Sequence, residues 1–151
     1  QLRLKFAMGA IVALIHDIFI TVGILTVFGV EFSLPIVAAL LTIIGYSLND
    51  TIIVFDRIRE NIRKYPRSPL DTVINHSINE TLSRTIMTSV TTLIVLLCLF
   101  FLGGAIIHDF AFAMIIGVLV GTYSSIYVSS PALLFLQEAP GRGAAEAVGQ
   151  A

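Results

Sequence analysis

Charge is scarce in this sequence. Asp, Glu, Lys and Arg make up 13% of its 151 residues, where a soluble domain carries about 25%. With so little charge, 56% hydrophobic residues and a mean hydropathy of +0.93, the chain falls outside the soluble class. A basic excess is missing too. The formal net charge of -1 gives no general attraction for phosphates, so a nucleic-acid partner is not expected. Cysteine is reduced to one residue, Cys98 in "LIVLLCLFFL". That excludes an internal disulfide, and the residue reads as a small hydrophobe. No internal repeat is apparent, and nothing calls for a metal, a cofactor or a catalytic set.

What the chain has instead is long apolar runs, over about Phe6–Val30, Phe32–Phe55, Thr85–Ile107 and Phe110–Leu136. Each exceeds the roughly 18–20 residues needed to cross a hydrocarbon core. In lipid every backbone group must be paired within its own segment, so each run is expected to be a helix. The first is too long and too polar inside for a signal peptide, and no small-residue cleavage site follows it. The expected fold class is therefore an all-α polytopic bundle of four transmembrane helices over residues 1–136, with a lipid bilayer as its surroundings.

The connections are unequal. Short hairpins are expected at Gly29–Glu31 and Ile107–Asp109, while Asp56 to Arg84 is long and charged. All nine Lys and Arg (Arg3, Lys5, Arg57, Arg59, Arg63, Lys64, Arg67, Arg84, Arg142) fall before the first run, in the long connection or after the fourth. The positive-inside rule then puts both termini and that connection in the cytoplasm. Within it, Ser68-Pro69 reads as a cap followed by a proline at the first helical position. Leu70, Val73, Ile74, Ile78 and Leu82 recur at helical spacing, which predicts an amphipathic helix over about 69–82 on the cytoplasmic face. The tail 137–151, rich in Gly and Ala and without apolar periodicity, is expected to be disordered.

Ionisable residues inside a membrane span are costly, about 2.5–3.5 kcal/mol each on insertion scales, and mark functional positions. His16 and Asp17 interrupt the first run, Asn49 and Asp50 the second. The third opens with Arg84, Thr85, Thr88, Ser89 and Thr92, whose spacing puts Arg84, Thr88 and Thr92 on one face with Thr85 and Ser89 beside it. The fourth carries Gly117 and Gly121 in GxxxG spacing, followed by Ser124, Ser125 and Ser129. Such small residues let helices approach closely. Burial favours a protonated carboxyl and a nearby guanidinium favours the ionised form. Arg84 and Asp50 sit in the same halves of antiparallel runs, so a contact between them, made and broken, would load and unload a proton. Asp17, with Thr21 one turn on and His16 beside it, reads as a second polar element or as packing glue.

The stretch "GYSLNDTIIVFDRIREN" at 45–61 resembles the signature of the SecF family, membrane subunits of the bacterial SecDF protein-translocation complex. Matching stretches are "GAIVALIHDIFITVG" at 9–23, "EFSLPIVAALLTIIGYS" at 31–47, "ETLSRTIMTS" at 80–89 and "GTYSSIYVSSPAL" at 121–133. The resemblance implies an RND-like half-bundle in the bacterial cell membrane. It further implies use of the proton motive force, in some lineages a sodium gradient, to help move preproteins, with SecD, the SecYEG translocon and the exported preprotein as partners. The family's coupling Asp and Arg fall on Asp50 and Arg84, with His16, Asp17, Asn49, Tyr46 and Thr88 as relay or supporting candidates. Family members have six spans and an exported domain between the first two. Against that pattern the sequence departs by the first span, the domain and the second span, and it is expected to be either a C-terminal transmembrane fragment or the ordered remainder of a longer protein.

Three other readings exist. Two membrane aspartates would serve an intramembrane aspartyl protease, but no GxGD motif is present. An RND-type exporter of lipids or small molecules shares the architecture. A passive scaffold would tolerate a neutral residue at Asp50.

Overall fold

The computed structural model describes residues 2–138, and they form five helices. These are α1 (Leu2–Val27), α2 (Leu34–Lys64), α3 (Leu70–Leu102), α4 (Gly104–Tyr127) and α5 (Ser129–Glu138). Among the described residues, four stretches are long and apolar enough to cross a membrane: Arg3–Val27, Leu34–Lys64, Leu70–Leu102 and Gly104–Phe135.

Each turn has a local cause. α1 closes with the N–H of Gly29 on the carbonyl of Thr26 and that of Val30 on Leu25, both 3.1 Å. This six-residue wrap needs a left-handed residue, and Gly29 supplies φ 70°. α2 starts behind Ser33 with a proline in its first turn and stops just before Tyr65-Pro66, where the ring of Pro66 disfavours a helical Tyr65. The expected start of the next helix shifts by one residue, because Pro69 is itself the cap.

Three expectations need correcting. The amphipathic stretch 69–82 is not a separate helix, since α3 carries it and the third apolar run without a break. No Gly or Pro lies between Leu70 and Leu102 to interrupt it. The second hairpin is not at Ile107–Asp109 but at Gly103-Gly104, which places His108 and Asp109 inside α4. Gly104 takes φ 78°, and a side chain at Gly103 would overlap the Leu99 carbonyl and the Ile107 side chain. The fourth run is two helices, α4 and α5, parted at Val128. Pro131 lacks the N–H that would bond the carbonyl of Tyr127, and its ring crowds that carbonyl. Of the tail, residues 139–151 lie outside the described residues.

The bundle is built around α2 and α4, with α3 packed on both, α1 across them and α5 against α1. α2 and α4 run parallel, because Gly117 faces Ile43 and Gly121 faces Ser47, four residues on along both helices. The exterior carries large apolar side chains, such as Phe19, Leu34, Phe101 and Ile106, suited to a lipid surround. The interior has three layers. At the hairpin end Leu25, Ile36, Ala39, Ile43, Leu96 and Val118 form one apolar core. At the other end Phe6, Val54, Phe55, Ile58, Ile74 and Leu133 form a second, with Phe6 and Phe55 in edge-to-face contact at 5.3 Å. Between the two lies a polar layer.

Candidate functional site

The polar layer is assembled by helical phase. On α2, Ser47, Asp50, Thr51 and Val54 are buried, at the three- and four-residue spacing of one helix face. On α1 the same spacing buries Ala13, Asp17 and Thr21. Ser47 Oγ donates to Asp17 Oδ2, joining the two helices. On its other side Asp17 Oδ1 lies 3.3 Å from Nδ1 of the half-buried His16. A second chain of hydroxyls crosses the bundle, with Tyr46 3.2 Å from Ser89 and Ser89 2.6 Å from Thr122.

Asp50 is the outlier. Its residue exposure is 2%, yet Oδ2 has no hydrogen-bond partner among the described residues. Buried polar atoms without partners are rare in folded proteins, and each calls for an explanation. Ser124 Oγ and Thr21 Oγ1 share this condition. Carrying the α2–α4 register one turn beyond Ser47 and Gly121 brings Asp50 level with Ser124. Two unsatisfied oxygens thus share a level on neighbouring helices. Asp50 lies five residues, about 7.5 Å, from the Phe6–Phe55 contact at α2's rise of about 1.5 Å per residue. Carboxylates accept while hydroxyls both donate and accept, so this layer can hold, release and pass on a proton. Asp17 and Asp50 share no hydrogen bond, unlike a protease dyad.

Beyond the second apolar core, a further polar network ties α2 to α3. Asn61, buried, donates from Nδ2 to Ser77 Oγ at 2.9 Å and to Glu80 Oε2 at 2.8 Å. Arg57 donates from Nε to the same Glu80 oxygen at 2.8 Å and from Nη1 to Glu60 at 2.9 Å. His76 lies 3.5 Å from Glu80 Oε1.

The site residues expected from sequence divide. Asp17, Asp50, Thr21, Tyr46 and, beside Asp17, His16 come together in the layer. Asn49 does not: it is exposed on the outer face, one residue and hence about 100° around the helix from Asp50. Thr88 does not either, because its hydroxyl is satisfied by the Arg84 carbonyl at 2.9 Å. Arg84 lies next to buried Thr85 but is itself exposed. It forms no ion pair among the described residues, so the expected contact with Asp50 is not made in this arrangement. Gly117, Gly121 and Ser125 are buried on α4, where the first two face α2. Ser47, Thr122 and the Asn61 network carried no role in the sequence reading. The available signal was spacing: Ser47 lies one turn before Asp50 and Asn61 three turns after it.

A membrane bundle with a carboxylate layer between two apolar cores defines the class as a polytopic helical membrane protein with an ionisable interior. The particular family is settled by comparison. Residues 1–139 match the family "Protein export membrane protein SecD/SecF, C-terminal", and the chain belongs to it. It is 54% identical over 132 residues to the protein translocase subunit SecF of Cereibacter sphaeroides, covering 87% of this chain and 41% of that protein. Against SecF of Desulfurispirillum indicum it is 56% identical over 136 residues, covering 88% and 43%. Against the translocase subunit SecDF of Thermus thermophilus it is 54% identical over 125 residues, covering 83% and 17%. A crystal structure of SecDF in a super-membrane-facing form superposes with a TM-score of 0.87 at 48% identity, covering 97% of this chain and 20% of that one. The chain thus spans less than half the length of these relatives.

Proposed function

We propose that this chain is the ion-coupling membrane part of a SecF-type subunit of the Sec export machinery. Together with SecD and SecYEG it draws on the proton or sodium motive force to assist preproteins across the bacterial plasma membrane. The end of the bundle that holds Arg3, Lys5, Arg57, Arg59, Arg63, Lys64 and Arg67 faces the cytoplasm. The positive-inside rule supports that orientation.

The observation that carries the proposal is Asp50, buried on a membrane-crossing helix with one oxygen unpartnered. A carboxylate that only tied helices together would be saturated with donors. One level with Ser124 and one turn from Ser47 has acceptors and donors nearby, and its charge can change during work. Arg84 enters through movement. It adjoins Thr85, which is buried, so rotating α3 by one residue step, about 100°, would turn the guanidinium inward. The cycle alternates between a protonated Asp50 with Arg84 outside and an ionised Asp50 paired to Arg84.

Asp50→Asn tests this. The amide keeps the shape and hydrogen-bonding capacity but cannot titrate. In the full-length protein, motive-force stimulation of preprotein export should disappear while membrane level and association with SecD stay normal. Wild-type stimulation at normal level would refute the coupling role.

A further inference from the structure

The proposed coupling uses Asp50 and leaves a second buried carboxylate, Asp17, without a task. It is fully buried and is held by Ser47. Ser47 stands one helical turn from Asp50 on the same buried face of α2, so a change of its side-chain rotamer would aim its single hydroxyl proton toward Asp50 instead of Asp17, serving one carboxylate at a time. We infer that Ser47 is a positioning residue that shares one hydrogen bond between Asp17 and Asp50, so that the charge state of one aspartate is felt by the other.

From α3 the charged group at this level is Arg84, exposed in this structure beside buried Thr85 and turned toward Asp50 only in the proposed cycle. Facing Asp17 from α2 are Ser47 and, one turn away, Asp50. On α1 itself the neighbouring titratable group is His16. α4 presents Gly121 and Ser124 at this level, and its Tyr123 is exposed. α5 packs lower, where Leu133 joins Phe6, about three turns from Asp17. When Asp50 is protonated it needs no donor and Ser47 stays with Asp17, the contact this structure holds. When Asp50 ionises, Ser47 swings to it and Asp17 loses its donor. The two carboxylates thereby compete for one donor, and the charge of Asp50 is felt at Asp17 through Ser47.

This rests on Asp50 being the titrating group, and the experiment separates the two claims. The full-length protein in lipid vesicles is titrated while the infrared carboxyl band is followed. Loss of a titrating band in Asp50→Asn assigns it to Asp50. Asp17→Asn removes the competitor and a like charge, so the midpoint should move downward. In that background Ser47→Ala removes the freed donor and should move the midpoint back upward by about one to two pH units, the size of one hydrogen bond to a charged group, whereas Ser47→Ala alone, where the donor is already engaged by Asp17, should move it less. Ser47→Thr keeps the hydroxyl and should behave as the native serine in both backgrounds. A downward shift in Asp17→Asn that Ser47→Ala reverses and Ser47→Thr does not supports the inference. An Asp50 band that Ser47→Ala leaves unmoved in the Asp17→Asn background, or moves by as much when Asp17 is present, overturns it and leaves the coupling role of Asp50 standing. An unchanged band in Asp50→Asn would overturn both.

Discussion

Gly117 and Gly121 form one GxxxG repeat, yet the structure assigns them opposite sensitivities to a methyl group. A Cβ built at Gly117 overlaps three atoms of Ile43, with Cγ2 at 2.9 Å and Cδ1 and Cγ1 closer still. Ile43 cannot yield by rotation, because it is buried and a β-branched residue in a helix has essentially one χ1 state. Gly117→Ala therefore pushes α2 and α4 apart, with an overpacking cost of about 1–3 kcal/mol, or about 2–12 °C in melting temperature for a domain of this size. At Gly121 the added Cβ lies 3.6 Å from Ser47 Cβ and 3.8 Å from its Oγ, ordinary van der Waals contact. There the substitution gains helix propensity of about 0.8–1.0 kcal/mol and should be neutral or mildly stabilising. The assay is thermal denaturation of the full-length protein in detergent, read by loss of the monodisperse size-exclusion peak. Ile43→Ala supplies the control: alone it opens a cavity at about 2–5 kcal/mol, but with Gly117→Ala the new methyl occupies part of it, so the double variant should lose less than the sum. Equal losses at 117 and 121, or simple additivity of the 43 and 117 changes, would refute this account of the α2–α4 contact.

Other expectations concern topology, the arginine and the second polar network. In a background with exposed Cys98 replaced by Ala, a cysteine at Glu31 should react with an impermeant maleimide from outside the cell, and one at Arg63 should not. Labelling of both from the same side would end the proposed orientation. Arg84→Lys retains charge but loses the planar fork, so motive-force-dependent export should fall less than in Arg84→Ala. Equal export by both variants and wild type would remove Arg84 from the cycle. Asn61→Ala removes the donor of both Ser77 and Glu80 and should cost about 1–3 kcal/mol in the same denaturation assay, with the α2–α3 connection becoming more sensitive to protease. An unchanged melting point and digestion rate would show that the network contributes nothing to stability.

The bundle was legible because lipid leaves a chain few choices. Apolar runs of sufficient length must be helical. The turns were less legible, since long runs hide their punctuation. Gly103-Gly104 and Pro131 are ordinary breakers, but they sit inside or beside apolar stretches that would cross a membrane whether or not a helix ended there. In α3 the reverse holds: polarity changes sharply near Arg84 while the backbone does not, because hydrogen bonding along the helix is indifferent to whether water or lipid surrounds it.

For the site, the sequence revealed which residue types were out of place but not which way they faced. Asp50 and Asn49 are equally anomalous among isoleucines, and adjacent residues differ by about 100° in direction. Only packing could send the carboxylate inward and the amide outward. The same ambiguity separates Thr85 from Arg84. Grouping Arg84 with Thr88 and Thr92 was correct in phase, but the face turned to the bundle is the neighbouring one, through Thr81, Thr85 and Ser89. In the proposed cycle, one residue of helical phase therefore separates Arg84 outside from Arg84 paired with Asp50. The proposed coupling through Asp50 would need a mechanical element of about that amplitude, and α3 is uninterrupted from Leu70 to Leu102. A rotation set at Thr85 would thus be carried down to Ser77 and Glu80, where α3 meets Asn61 and Arg57.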